Sequence, residues 1–170
     1  MFDTFKKLMF ARQISFEEGK ITLLGQSMLM IPADALATIL RDMRKQLGRD
    51  KADKIIYNSM KEMAIRYLNA IKNVFSMSKV DMIKWAANSV TLAGWGKVTV
   101  VSVDGQVGKA VIRVTGSSIA AVLGKDKEPT DTVLAGFFAG GESAVFEKDV
   151  DVKEIKCTAR GDLYCEFITV

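Results

Sequence analysis

Beyond Pro32 the chain switches between helical and extended periodicity in a definite order. Leu36, Ile39, Leu40, Met43 and Leu47 follow Pro32 and Asp34 at helical spacing, predicting an amphipathic helix closed by Gly48. Asp50 is the expected cap of a longer helix, in which Ile56, Met60, Met63, Tyr67, Ile71, Val74 and Phe75 share one face as a core stripe. Ser78 with Asp81 has the pattern of a capping box for a third helix through Ile83, Ala86, Ala87 and Val90, ending near Gly94 and Gly96. After Gly96 apolar residues alternate, from Lys97 to Val103 and from Val107 to Thr115, with Asp104-Gly105 between them as a hairpin signal. Residues 116–129 read as a short helix and a charged loop. Thr130 or Asp131 is the expected cap of an apolar helix from Val133 to about Phe146. Gly136, Gly140 and Gly141 weaken that helix, which implies either close packing against a neighbour or room for a ligand. A final pair of strands, Val150 to Ala159 and Leu163 to Thr169, turns at Arg160-Gly161-Asp162. Before all of this, residues 1–31 read as an arm or short helix bearing Phe2, Phe5, Leu8, Met9 and Phe10, then a hairpin turning at Glu17-Glu18-Gly19-Lys20. The order predicts an α+β fold, an antiparallel sheet covered by helices, with residues 1–170 as one domain.

Composition narrows the chemistry. A chain of 170 residues, 49% apolar and 26% charged, is long enough to bury a core without disulfides. It has no histidine, which removes Ser-His-Asp and Cys-His triads, a histidine general base and His-rich metal sites. The net charge of +4 is spread among nearly as many carboxylates, with no basic block interleaved with aromatics, so nucleic acid is not the expected partner. No apolar run is long enough to span a bilayer, and Met1 to Lys7 lacks the pattern of a secretory signal. With two cysteines, a cytoplasmic, reducing setting is expected, favouring thiols or a metal over a structural disulfide. Gly136-Phe137-Phe138-Ala139-Gly140-Gly141 follows no strand and lacks the spacing of a dinucleotide fingerprint, so no nucleotide cofactor is expected.

Cys157 and Cys165 lie symmetrically about Gly161, so a symmetric turn sets them opposite each other, with Cβ atoms about 4.5 to 5.5 Å apart. Two thiolates at that separation can share a metal; they can equally be two buried free thiols, or, less readily, a disulfide. Glu154 lies at odd spacing from Cys157 and on a regular strand would face the other way. A bulge or bend near Ile155 is required to bring its carboxylate to the sulfurs.

Asp131-Thr132-Val133-Leu134-Ala135-Gly136-Phe137-Phe138-Ala139-Gly140, followed by Glu154-Ile155-Lys156-Cys157, Ala159-Arg160-Gly161-Asp162 and Tyr164-Cys165-Glu166-Phe167, resembles the carboxy-terminal signature of the 4-vinyl reductase domain. The signature region, 131–167, lies in the last quarter of the chain. The resemblance implies a small-molecule-binding module with a fold like the core subunits of the TRAPP vesicle-tethering complex and related nitric-oxide-sensor-like domains. The family also includes a protein of bacteriochlorophyll synthesis, phenol-sensing activators and stand-alone archaeal proteins. By comparison with the phenol sensors, it implies a structural zinc site held by Glu154, Cys157 and Cys165, with Asp131 standing where those sensors have a third cysteine. It places Ala135 and Val152 at two aromatic positions of the pocket, which suggests a roomier, more apolar cavity. Ala139 joins them on its wall, and Trp85 or Trp95 contributes. A histidine that anchors a phenol hydroxyl in the sensors has no counterpart here. The expected function is therefore binding or sensing of a small apolar ligand, with a separate signalling partner and a homodimer paired through its apolar start. Binding is favoured over catalysis. The alternatives are a reductase-type enzyme of tetrapyrrole metabolism and an assembly or tethering subunit.

Overall fold

The computed structural model describes residues 12–170. It opens with β1 (Ile14–Glu17), β2 (Lys20–Leu23) and β3 (Gln26–Met28), which form an antiparallel meander. Helices α1 (Ala33–Leu47), α2 (Arg49–Val74) and α3 (Lys79–Leu92) follow. Then come β4 (Lys97–Asp104), β5 (Lys109–Thr115), the short α4 (Ser118–Leu123), α5 (Thr132–Phe146), β6 (Val152–Lys156) and β7 (Cys165–Thr169). The last four strands make a second sheet in the order β4-β5-β7-β6, antiparallel throughout. The chain has the expected α+β architecture. The predicted arm, with Phe2, Phe5, Leu8, Met9 and Phe10, lies outside the described residues.

Several elements depart in detail from what periodicity predicts. The N-terminal hairpin is a three-stranded meander, because Leu24-Gly25 makes a second turn and β3 adds an edge. Helix α2 starts at Arg49, leaving Gly48 alone between two helices and Asp50 in the first turn rather than at the cap. On α1 only Ala37 and Leu40 are buried, while Ile39 and Leu47, expected on the core face, stay largely exposed. The β4–β5 turn is longer than a two-residue Asp-Gly turn, with Asp104 paired to Lys109 and its carboxylate accepting from the amides of Gln106 and Val107. Ser78 caps α3 as predicted, accepting from the Asp81 amide and donating to its carboxylate.

Helix α5 is the centre of the molecule. Every residue from Val133 to Phe146 is buried, so the helix has no face for solvent and must be enclosed on all sides. One side meets α2 at Gly136 and Gly140, where an added Cβ would run into the carbonyl oxygens of Tyr57 and Lys61. Close packing is thus the role of these two glycines. The other side meets the second sheet, with Phe138 edge-on to Phe167 of β7 at 5.1 Å between ring centres. Near its end Glu142, also buried, accepts from the Thr169 hydroxyl at 2.6 Å, and that hydroxyl in turn accepts from the Ala110 amide at 2.7 Å. One acid thereby ties α5 to both β5 and β7. No helix among the described residues is long and apolar enough to cross a membrane.

Two outcomes are expected. Gly140→Ala should lower the unfolding free energy by about 1–3 kcal/mol in urea titration, the usual cost of overpacking. Gly141→Ala, whose Cβ would meet only Leu68 at 3.9 Å, should be neutral or stabilising. Burial raises the Glu142 carboxyl from 4.5 to about 7, so between those values the folded chain keeps a proton that the unfolded chain has lost. Stability should accordingly fall as pH rises through this window. Glu142→Gln, which keeps the acceptor for Thr169, should flatten the pH dependence of thermal unfolding.

Candidate metal centre and ligand groove

The bulge required near Ile155 is present. Glu154 pairs with Phe167 and Lys156 with Glu166, so β6 spends one residue more than β7 at this point. The slip returns Glu154 and Cys157 to the same, buried face. Beyond it the chain makes a single helical turn, Thr158–Arg160, and Gly161 takes a positive φ of 98° that suits glycine. Asp162 closes the loop by accepting from the Cys157 amide at 2.8 Å. The Arg-Gly-Asp tripeptide therefore works as a turn, and the register carries Cys157 across from Cys165.

The donor atoms of Glu154, Cys157 and Cys165 lie within 4.8 Å of one another, and all three residues are buried. Each thiol has a threonine beside it. The Thr130 hydroxyl is 3.5 Å from Cys157 Sγ, while the Thr158 amide donates to Cys165 Sγ at 3.5 Å and its hydroxyl lies at 3.7 Å. Hydrogen bonding from Cys165 draws the Cys157 thiol down against the effect of burial, helped by Thr130. Cys165 is pushed up by the same bond and by burial. The Glu154 carboxyl is raised by burial first, then by the charges of Asp131 and Cys157. Glu154 Oε2 accepts from the Asp131 amide at 2.9 Å, but Oε1 is buried without a partner. An orphaned carboxylate oxygen beside two sulfurs is a donor set that a borderline-soft divalent cation such as zinc satisfies.

Asp131 is not one of these three. It caps α5, its Oδ1 accepting from the Leu134 amide at 3.2 Å and its Oδ2 from the Ser117 hydroxyl at 2.5 Å. Burial raises its carboxyl to about 6. The strap leading to it is held from α1 and α2. Arg44 donates to the Thr130 carbonyl at 3.1 Å, Arg49 donates to the Pro129 carbonyl at 2.8 Å, and Asp126 pairs with Arg49 at 2.8 Å. Thr130, Thr158, Ser117 and the two arginines carry no recognisable spacing, and sequence reasoning missed them. Only the position of Thr130 and Thr158 beside a ligand or a cap hinted at their roles.

The predicted pocket residues separate. Ala135 and Val152 line a cleft of about 320 Å³ with Tyr57, Thr132 and Glu154. Trp95 lines a larger groove of about 710 Å³ between the N-terminal meander and α1 and α3. Ala139 and Trp85 belong to the packed core and line neither cavity. The groove is walled by Ile14, Leu23, Met28, Leu36, Leu92 and Ile119, with Tyr67 and Ser89 as polar groups. One turn from Ser89, the buried Trp85 indole N–H lacks a hydrogen-bond partner.

The model of the 4-vinyl reductase domain matches residues 110–170. The chain belongs to the family described as activator of aromatic catabolism, whose model matches residues 8–106, more than half of its length. No curated protein is similar enough to count as a relative. Among solved structures, the phenol-responsive sensory domain of the transcription activator PoxR, crystallised with phenol, is 22% identical. That match covers 99% of this chain and 89% of that one, with a TM-score of 0.88. A trafficking protein particle complex subunit 3 from Naegleria fowleri, covalently bound to palmitic acid, is 14% identical, with a TM-score of 0.53. It covers 81% of this chain and 93% of that one. At these identities the likeness is one of fold.

Proposed function

We propose that the chain is a sensory module which takes a small, largely apolar ligand into the groove beneath the N-terminal meander. The observation that carries this reading is the groove itself, whose apolar walls and few polar groups are the usual makeup of a small-molecule site. Tyr67 and Ser89 supply hydrogen bonds for one polar group on the ligand. Membership in the family described as activator of aromatic catabolism and the fold shared with a phenol-responsive sensory domain support the same reading. Ala135 and Val152, expected on the wall of a roomy apolar cavity, line a separate cleft.

Glu154, Cys157 and Cys165 hold a structural divalent metal, zinc by donor type, which clamps the two arms of the last hairpin together. The metal supplies charge and geometry to the hairpin. The residues do the placing: the bulge at Ile155 turns Glu154 inward, and the Asp131 amide fixes its carboxylate. The module pairs with a second copy through exposed apolar residues that also line the mouth of the groove. Leu29 and Met30 are 86% and 84% exposed and adjoin Met28, Ile31 and Phe16 in one patch. Output passes to a separate signalling partner.

Titration with phenol and with toluene should quench tryptophan emission saturably. Tyr67→Phe should weaken phenol about three- to tenfold, the worth of one hydrogen bond, and leave toluene unchanged. Absence of saturable binding by either probe would reject the groove as the ligand site. Metal analysis of untagged protein should give close to one zinc per chain, and Cys157→Ser should abolish it and lower the melting temperature. In light scattering the parent should be a dimer, and Leu29→Glu combined with Met30→Glu a monomer of unchanged circular dichroism.

A further inference from the structure

The second sheet carries α5 on one face, and among the described residues its other face is uncovered. Ala110, Ile112 and Val114 of β5 are buried on the α5 side, so Lys109, Val111, Arg113 and Thr115, which alternate with them, lie on the outer face. The register extends this face across the sheet. Arg113 stands opposite Thr99 of β4 and Glu166 of β7, Val111 opposite Ser102 and Ile168, and Ile168 opposite Lys153 of β6. Lys156 lies opposite Glu166, past the β6 bulge. Val111 and Ile168, side by side, are thus bordered along β5 by Lys109 and Arg113 and along β6 by Lys153 and Lys156. The bulges of β4 and β6 add Val101 and Ile155, both exposed, at the edges.

The charge of this face is one-sided. It bears Lys97, Lys109, Arg113, Lys153 and Lys156 against the carboxylates of Asp104 and Glu166, and both carboxylates are engaged. Asp104 accepts from the amides of Gln106 and Val107. Glu166, buried, pairs with Arg113 at 2.8 Å and with Lys156 at 3.2 Å. The Arg113 guanidinium also lies 3.8 Å from the centre of the Tyr164 ring, and Lys156 donates to the Tyr164 hydroxyl at 3.1 Å. Two cations are therefore fixed in place before any partner arrives, which removes part of the ordering cost of an interface. Lys97, Lys109 and Lys153 have no ion pair with any described residue.

We propose that the outer face of the second sheet docks an acidic, extended segment of the signalling partner, an apolar side chain resting on Val111 and Ile168 between carboxylates that meet Lys109 and Arg113. Alternate side chains of an extended strand lie about 6.5 Å apart on one face. That is the spacing of Lys109, Val111 and Arg113, so an acid-x-apolar-x-acid run alongside β5 matches it in both charge and period. A phosphate backbone would instead lay charge across the apolar pair. The inference rests on the reading that output passes to a separate partner; neither the groove nor the metal enters it.

The test uses the full chain and a fluorescently labelled peptide with Glu, Val and Glu at alternate positions between serines. Anisotropy should show saturable binding that weakens as salt is added. The peptide should shift amide resonances of β5 and β7 and leave those of β1 to β3 in place. Lys109→Glu with Lys153→Glu, both exposed, should weaken it about tenfold at unchanged circular dichroism. The same residues reordered, with Val at one end, should bind about threefold more weakly, through loss of the apolar contact. No saturable binding, shifts confined to other elements, equal affinity for the reordered peptide, or an affinity untouched by the lysine changes would each overturn the docking surface. So would tighter binding of phosphatidylserine vesicles or of duplex DNA at the same salt. Phenol titration of the same sample separates this failure from failure of the sensory reading, since a saturable phenol response without peptide binding rejects the surface alone.

Discussion

A helix with no polar face cannot stand at a surface, and this requirement on α5 orders the rest of the molecule. Enclosing it takes two partners of different kinds. Helix α2 comes to backbone contact over Gly136 and Gly140, and the second sheet closes the other side through Phe138 and Phe167. Each partner fixes one coordinate of the helix: the glycines set its distance from α2, and the aromatic contact sets its depth against β7. The buried Glu142 and Thr169 pair is tolerated between them because its hydrogen bonds are complete on the sheet side.

With the helix so placed, its first turn falls under the last hairpin. The capping of α5 and the construction of the cysteine cluster become one arrangement, since Asp131 caps with its side chain and orients Glu154 with its backbone. The arginines of α1 and α2 hold the approaching strap by its carbonyls, so the cluster is braced from outside its own hairpin. A buried set of thiols and a carboxylate placed with such care, with one oxygen left without a partner, is the arrangement expected of a site completed by a cation.

The groove is built from the opposite end of the fold. It lies between the N-terminal meander and α1 and α3, and it meets the central packing through Tyr67 of α2 and the α3 face that carries Trp85. The meander is small, forms its own sheet and packs through a few half-buried residues, among them Ile14 and Leu23. An element with little buried area opens at lower free energy than the core. The buried cysteine cluster and the groove are thus separate features of the fold, joined through α5 and α2.

What the sequence determined by itself were the features set by neighbours a few residues apart. The helices themselves, the Ser78 cap, the cap at Asp131, the strand alternation after Gly96 and the turn at Gly161 between the cysteines are all local, and each is found where it was read. Even the bulge at Ile155 was legible as a condition, because the pleat has a period of two and Glu154 lies at odd distance from Cys157. Tertiary structure decided everything that depends on what lies across the gap. It chose close packing over ligand space at Gly136 and Gly140, left Ile39 and Leu47 uncovered on an otherwise amphipathic helix, and divided the expected pocket residues between a cleft, a groove and the core. It also engaged the second oxygen of the Asp131 carboxylate with Ser117, from a different part of the chain. The physical reason is the same in each case: periodicity states which way a side chain points along its own element, whereas burial, vacancy and coordination depend on the element that meets it.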